Sequence, residues 1–230
     1  MAQIRAVFLD AGGTLIHLDR GFILAALAEQ GIAKDEAAFL IADQSAREHR
    51  AAAIRAGEVL DDASSWRVYA VRLLALLEAT GEAAEGVSAA IRQRHRAGTL
   101  WTHVEPGTLE TLAQLKDRGY TLGVVSNADG RVENFLSHVG ITKYLDFVVD
   151  SGIVGVEKPN PRIFEIALER GGVRKDEVVH VGDVYEVDVL GARAAGIEPI
   201  MIITTGSAAP ADVRVIRSFT ELPTRLNGLR

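Results

Sequence analysis

Residues 4–13 read IRAVFLDAGG. A short apolar run stops at Asp10, and Gly12-Gly13 follow at once. A run of this length, bounded by a turn signal, reads as a buried strand followed by a tight turn. Such a strand needs partners, and none lies nearby in sequence. From residue 18 to about 98 the chain is rich in Ala, Leu, Glu and Arg, lacks proline and shows helical spacing. Phe22, Leu24, Leu27 and Ala28 fit one helix stopped at Gly31. Trp66, Tyr69, Val71, Leu73, Leu74 and Leu77 fit another, opened by Asp61, Asp62 or Ser64 as cap and closed near Gly81. The stretch reads as a bundle of about four helices.

From about residue 104 the pattern alternates. A helix over 108–118 precedes a strand over 120–126. A helix from 130 ends at Gly140, before a strand over 146–150. A helix opened by Pro161 ends near Gly171, before a strand over 177–182. A helix ending at Gly196 leads to a strand over 199–203. Strands alternating with helices of this length mean βαβ units and a parallel sheet. The strands are apolar on both faces, as a doubly covered sheet requires. The strand over 4–9 finds its partners here. The expected architecture is α/β: a doubly wound parallel-sheet core, residues 1–17 and 99–230, with an all-helical insertion, residues 18–98.

Composition narrows the function. The 230 residues are 48% hydrophobic and 24% charged, values of a folded globular chain. A net charge of −6 without a basic tract argues against nucleic acid or an anionic membrane as partner. The chain has no cysteine, which removes disulfides, thiolate zinc sites and cysteine nucleophiles and suits a cytoplasmic protein. The first apolar run is broken too early, at Asp10, for a signal peptide or a membrane span. The six histidines lack metal-binding spacing, and His180, inside a strand, reads as a core residue. Arg47, Arg50 and Arg55 read as a solvated helix face. Trp101 reads as packing at a hinge, for which Gly98 and Gly107 are candidates.

In an open parallel sheet, ligands bind beyond the carboxyl ends of the strands. Those ends carry Asp10, then Ser126-Asn127, then Gly182-Asp183 with Asp188 soon after. Lys158 stands alone just before a helix. Singly, each reads as a cap or turn former. On one edge of one sheet they point to a site.

Four stretches, FLDAGGTL (8–15), VVSNAD (124–129), VGVEKPNPRIF (154–164) and VHVGDVYEVDVLGARAAG (179–196), resemble in order and spacing the haloacid dehalogenase-like (HAD) hydrolase superfamily. The helical insertion is similar to its type C1 cap. The resemblance implies a Rossmann-like core and a nucleophilic Asp10 that forms an aspartyl-phosphate. It implies Mg²⁺ held by the Asp10 carboxylate, the Gly12 carbonyl and Asp183, with Asp188 assisting. Ser126 would donate to a phosphoryl oxygen and Lys158 would neutralise charge, with Gly13, Thr14 and Asn127 also facing substrate. The substrate would be a small phosphorylated or otherwise anionic metabolite, chosen by a cap that moves over the site. The protein would be a monomer or homodimer.

One position departs from the family's phosphatases. Two residues after the nucleophile they carry a second Asp, which protonates the leaving alcohol and then activates water; here that position is Gly12. Several readings stay open. The chain is a phosphatase that lacks this acid, or one that takes it from His17, Asp19, Glu48 or His49. It is similar to 2-haloacid dehalogenases, although the Asp183/Asp188 pair is superfluous in a metal-free enzyme. It is similar to phosphonatases, with Lys34 as the one cap lysine for a Schiff base. Or it is a weakened binding or regulatory protein.

Overall fold

The computed structural model describes residues 3–58, 61–203 and 209–228. The chain divides into two compact units, Met1–His17 with Val104–Arg230, and Leu18–His103. The return to the sheet unit therefore comes at Val104 rather than at residue 99.

The sheet unit is built on six parallel strands in the order β3-β2-β1-β4-β5-β6. They are β1 Ala6–Leu9, β2 Thr121–Ser126, β3 Phe147–Asp150, β4 Val178–Gly182, β5 Glu198–Ile202 and β6 Arg214–Ile216. Strand β1 is buried along its whole length. It lies between β2 and β4, with Ala6 opposite both Thr121 and Val178. The strand order reverses at β1, which is the switch point where such sheets bind ligands. The connecting helices α5 (Thr108–Asp117), α6 (Val132–His138), α8 (Pro161–Gly171) and α9 (Leu190–Ala194) follow the alternating pattern. The apolar core gathers Ala6, Phe8, Val125, Val149, Phe164 and Ala167. Strand β6, the short helix α7 (Ser151–Val154) and the closing helix α10 (Leu222–Asn227) were not expected from the sequence. All three are too short to show a period.

The helical unit contains α1 (Arg20–Glu29), α2 (Glu36–Arg55), α3 (Asp62–Leu76) and α4 (Gly81–Arg96). Of the candidate caps for α3, Asp61 is the one used: it accepts from the Ser64 amide at 2.7 Å, and the Ser64 hydroxyl accepts in return from the Asp61 amide. Leu27, Phe39, Tyr69, Leu73 and Leu77 are buried in this unit's own core. Val71, expected with them, is instead exposed. Trp101, partly buried, packs against this core, its ring 5.8 Å from that of Trp66. No helix among the described residues is long and apolar enough to cross a membrane.

A glycine in β2 is required by a ring. Gly123 lies opposite Phe147, and a Cβ at residue 123 would stand 2.1 Å from the Phe147 ring. That ring meets Phe8 edge-on, with centroids 5.5 Å apart. Gly123→Ala is therefore expected to lower unfolding free energy by about 1–3 kcal/mol, the usual cost of overpacking, as read from urea denaturation midpoints.

Candidate active site

Strand β1 ends just before Asp10, and the next turn is wound tightly around one carbonyl. The Ala11 carbonyl accepts from the Leu15 amide at 2.9 Å and the Ile16 amide at 3.0 Å. Gly13 donates to the Ile16 carbonyl at 2.8 Å and takes φ 89°, a left-handed conformation that favours glycine. Gly12 has no positive φ, so its backbone does not demand glycine. Thr14 is buried and its hydroxyl oxygen has no hydrogen-bond partner among the described residues.

Lys158 stands at the centre. Its buried ammonium donates to Asp10 Oδ1 at 2.6 Å and to Asp188 Oδ1 at 2.7 Å. Asp10 Oδ2 carries no hydrogen bond among the described residues. Asp188 is held on both oxygens, since Oδ1 also faces His180 Nε2 at 3.0 Å and Oδ2 accepts from the Val184 amide at 3.0 Å. Asp188 sits on a single π-helical turn, Tyr185–Val189. It packs so closely on β4 that a Cβ at Gly182 would lie 2.2 Å from its carboxyl carbon. Asp183 completes the group: one oxygen from each of Asp10, Asp183 and Asp188 lies within 4.8 Å of the others.

These charges set one another's protonation. Burial pushes the Asp10 carboxyl up to about 7, against the pull of Lys158 and with the help of Asp188 and Asp183. Burial acts the same way on Asp188, but Lys158 and His180 outweigh it and hold the group below the usual carboxylate range. Burial alone would depress the Lys158 amine, yet the two carboxylates raise it, so it stays charged. One ammonium among three carboxylates leaves excess negative charge in a largely buried place. The donor set is all oxygen and hard, which suits Mg²⁺.

The loop after β2 is stitched to the end of β3. Asp150 is buried and accepts amide hydrogens from Gly130 at 2.9 Å, Val132 at 3.1 Å and Gly152 at 2.9 Å. The Ser151 hydroxyl accepts from the Ala128 amide and donates to its carbonyl. Among the described residues, the Ser126 hydroxyl at the head of this loop makes only a long 3.5 Å contact, to the Asn127 carbonyl. It is thus free to turn toward a ligand. The Asn127 side chain spans to Lys158: Nδ2 donates to the Lys158 carbonyl at 2.9 Å, and Oδ1 accepts from its amide at 2.7 Å. In this structure Asn127 fixes the backbone that carries the ammonium.

Asp10, Lys158, Asp183 and Asp188 are thus brought together at one edge of the sheet, with Ser126, Gly12, Gly13 and Thr14 at the ends of the adjoining strands. Asp19 has a structural place instead, capping α1 through the Phe22 amide and pairing with Arg94 at 2.8 Å. Lys34, the cap lysine, pairs with Glu78 at 2.8 Å. Arg47 is not simply solvated: it pairs with Asp43, which also accepts from the buried Tyr69 hydroxyl. Asp150, Ser151 and His180 were not singled out as site residues in the sequence. Asp-Ser-Gly directly after a strand is a capping signal that marks the first two; an apolar strand context hides the third.

Residues 4–196 match the haloacid dehalogenase-like hydrolase family. The haloacid dehalogenase-like hydrolase domain-containing protein 3 of Mus musculus is 41% identical over 102 residues, 44% of this chain and 40% of the relative. The glyceraldehyde 3-phosphate phosphatase of Methanothermobacter thermautotrophicus is 43% identical over 108 residues, 46% of this chain and 48% of the relative. The matches span about half or less of each of these relatives. Among solved structures, the HAD-hydrolase YfnB from Bacillus subtilis bound to magnesium superposes with a TM-score of 0.73 at 19% identity, over 98% of this chain and 100% of that one.

The Asp10 shift has a measurable consequence in EDTA. A carboxyl raised from 3.8 to about 7 on folding stays protonated in the native state after it has ionised in the unfolded one. The unfolded state then binds fewer protons, so stability falls as pH rises from about 4 to 7. Asp10→Asn is expected to remove that slope and to exceed wild type by about 2–4 kcal/mol at pH 8, with the two converging near pH 4. Urea melts across pH in EDTA measure it.

Proposed function

The chain belongs to the haloacid dehalogenase-like hydrolase family, and from that premise we propose that it is a magnesium-dependent phosphatase acting through an aspartyl-phosphate on Asp10. The observation that carries this reading is the Lys158 ammonium lodged between Asp10 and Asp188, with Asp183 beside them. A nucleophilic carboxylate that must approach a phosphate dianion needs such a cation next to it.

The proposed steps use this chain's own groups. Lys158 holds Asp10 by Oδ1 and leaves Oδ2 to attack phosphorus. The new O–P bond forms as the bond to the leaving oxygen breaks. Ser126 and the Lys158 ammonium stabilise charge on the transferring phosphoryl group, with the turn at Gly13-Thr14 beside it. Water then attacks phosphorus, and phosphate leaves as the Asp10 carboxylate is restored. Mg²⁺, held by Asp10, the Gly12 carbonyl and Asp183, would supply charge neutralisation at the phosphoryl group. Asp188, engaged on both oxygens, serves this reading better as the anchor of Lys158 and as an outer support of the metal than as a direct ligand.

Gly12 offers no proton to the leaving group. General acid help is typically worth ~10²–10⁴-fold, so the proposed enzyme favours esters whose leaving group departs readily as an anion, such as aryl or acyl phosphates. The physiological substrate in this reading is a small phosphorylated metabolite of the cytoplasm. Phosphatase-named relatives support the reaction class.

Turnover of 4-nitrophenyl phosphate is expected with Mg²⁺, with loss in EDTA and in Asp10→Asn, while an alkyl phosphate turns over ~10²-fold or more slower. Turnover that persists in EDTA or in Asp10→Asn would refute the mechanism. Activity on 2-haloacids without metal, and none on either phosphate, would replace it with carbon–halogen hydrolysis. Because Gly12 has no positive φ, its backbone conformation does not bar Gly12→Asp. That variant is expected to raise the alkyl phosphate rate by at least ~10-fold relative to the aryl rate, a fraction of the full acid contribution, in steady-state assays on both substrates.

A further inference from the structure

His180 is fully buried in β4 and has no part in the reaction described above. Its ring meets Phe164 edge-on, with centroids 4.9 Å apart, and its Nε2 faces Asp188 Oδ1 at 3.0 Å. The same carboxylate oxygen receives the Lys158 ammonium at 2.7 Å, and that ammonium reaches Asp10 at 2.6 Å. Four side chains therefore form one line: imidazole, carboxylate, ammonium, nucleophile.

We propose that His180 is a positioning residue that fixes the rotamer of Asp188, and through it the seat of the Lys158 ammonium against Asp10. An ionised carboxylate only accepts, so the Nε2 that faces it must carry the hydrogen. The Phe164 edge keeps the ring from turning away. On the other side of Asp188, the missing side chain at Gly182 admits the carboxyl group against β4. The carboxylate is thus set by His180 on Oδ1 and by the Val184 amide on Oδ2 before the lysine reaches it. An ammonium that must meet developing charge needs such outer support, because small misplacements at a site are costly.

The inference rests on the proposed phosphatase reaction for its kinetic readout only. Two readouts need no activity. In ¹⁵N-labelled wild-type protein, the His180 imidazole is expected as the neutral Nε2–H form in long-range ¹H–¹⁵N spectra at neutral pH. The Nδ1–H form would leave a bare Nε2 against the carboxylate and overturn the proposal. Mg²⁺ affinity, from calorimetry, is expected to weaken in His180→Leu and to recover in His180→Gln, which can still offer an N–H. The kinetic arm compares these variants on 4-nitrophenyl phosphate. Leu should lower kcat roughly 10- to 100-fold with little change in KM, and Gln should recover most of the loss. A role in packing alone predicts the opposite order, since Leu is apolar and Gln is not. Equal kcat in wild type and Leu, or a loss in Gln as large as in Leu, would overturn the proposal. Inactive wild type with the Nε2–H form present would sink the phosphatase reading and leave the support of Asp188 standing.

Discussion

A single buried cation organises the site. Lys158 gathers two carboxylates that would otherwise repel each other, one at the end of β1 and one on the turn after β4. A buried charge pair contributes little to stability unless its remaining hydrogen bonds are made. Those of Asp188 are made, by His180 and the Val184 amide, and Asn127 ties down the Lys158 backbone. The ammonium is therefore fixed from both ends, by its own backbone and by its partners. Asp10, by contrast, keeps one oxygen without a partner among the described residues.

The sheet makes this arrangement possible because its strands are parallel and in register. Asp10, Ser126 and Asp183 each follow the last paired residue of a strand or are that residue, so pairing alone brings them to one edge. Lys158 arrives differently, on a loop before α8, and must be tied in by side chains. The tie is Asn127, which belongs to the loop that Asp150 and Ser151 hold in place. Strand β3 thus reaches Asp10 indirectly, through loop amides, one carboxamide and then the Lys158 ammonium.

How much of this was legible in the sequence depends on range. The alternation of apolar runs and helical spacing exposed β1 through β5 and the helical insertion, because both signals repeat within a dozen residues. The acidic and basic residues of the site stood out because charge at a strand end is conspicuous. The places of Asn127 and His180 did not, since each depends on a partner outside its own element: Asn127 on Lys158, 31 residues on, and His180 on the face that the π-helical turn gives Asp188. Asp19 shows the converse. A carboxylate near the nucleophile in sequence reads as a candidate acid, yet a helix start and Arg94 absorb it.

The place of the helical insertion also bears on how the chain is made. Strand β1 leaves the ribosome first, but its nearest partner begins at Thr121, roughly 115 residues later. At typical elongation rates of about 5–20 residues per second, AVFL waits on the order of ten seconds without a neighbour. The helical unit ends at His103, before β2 begins, and its two ends are tied by Asp19 to Leu100 and Arg94. Once folded, it turns a long floppy loop into a short effective one, which lowers the entropy cost of bringing β1 to β2. An insertion that looks like an ornament on the sheet thus shortens, once folded, the effective loop that the sheet must close.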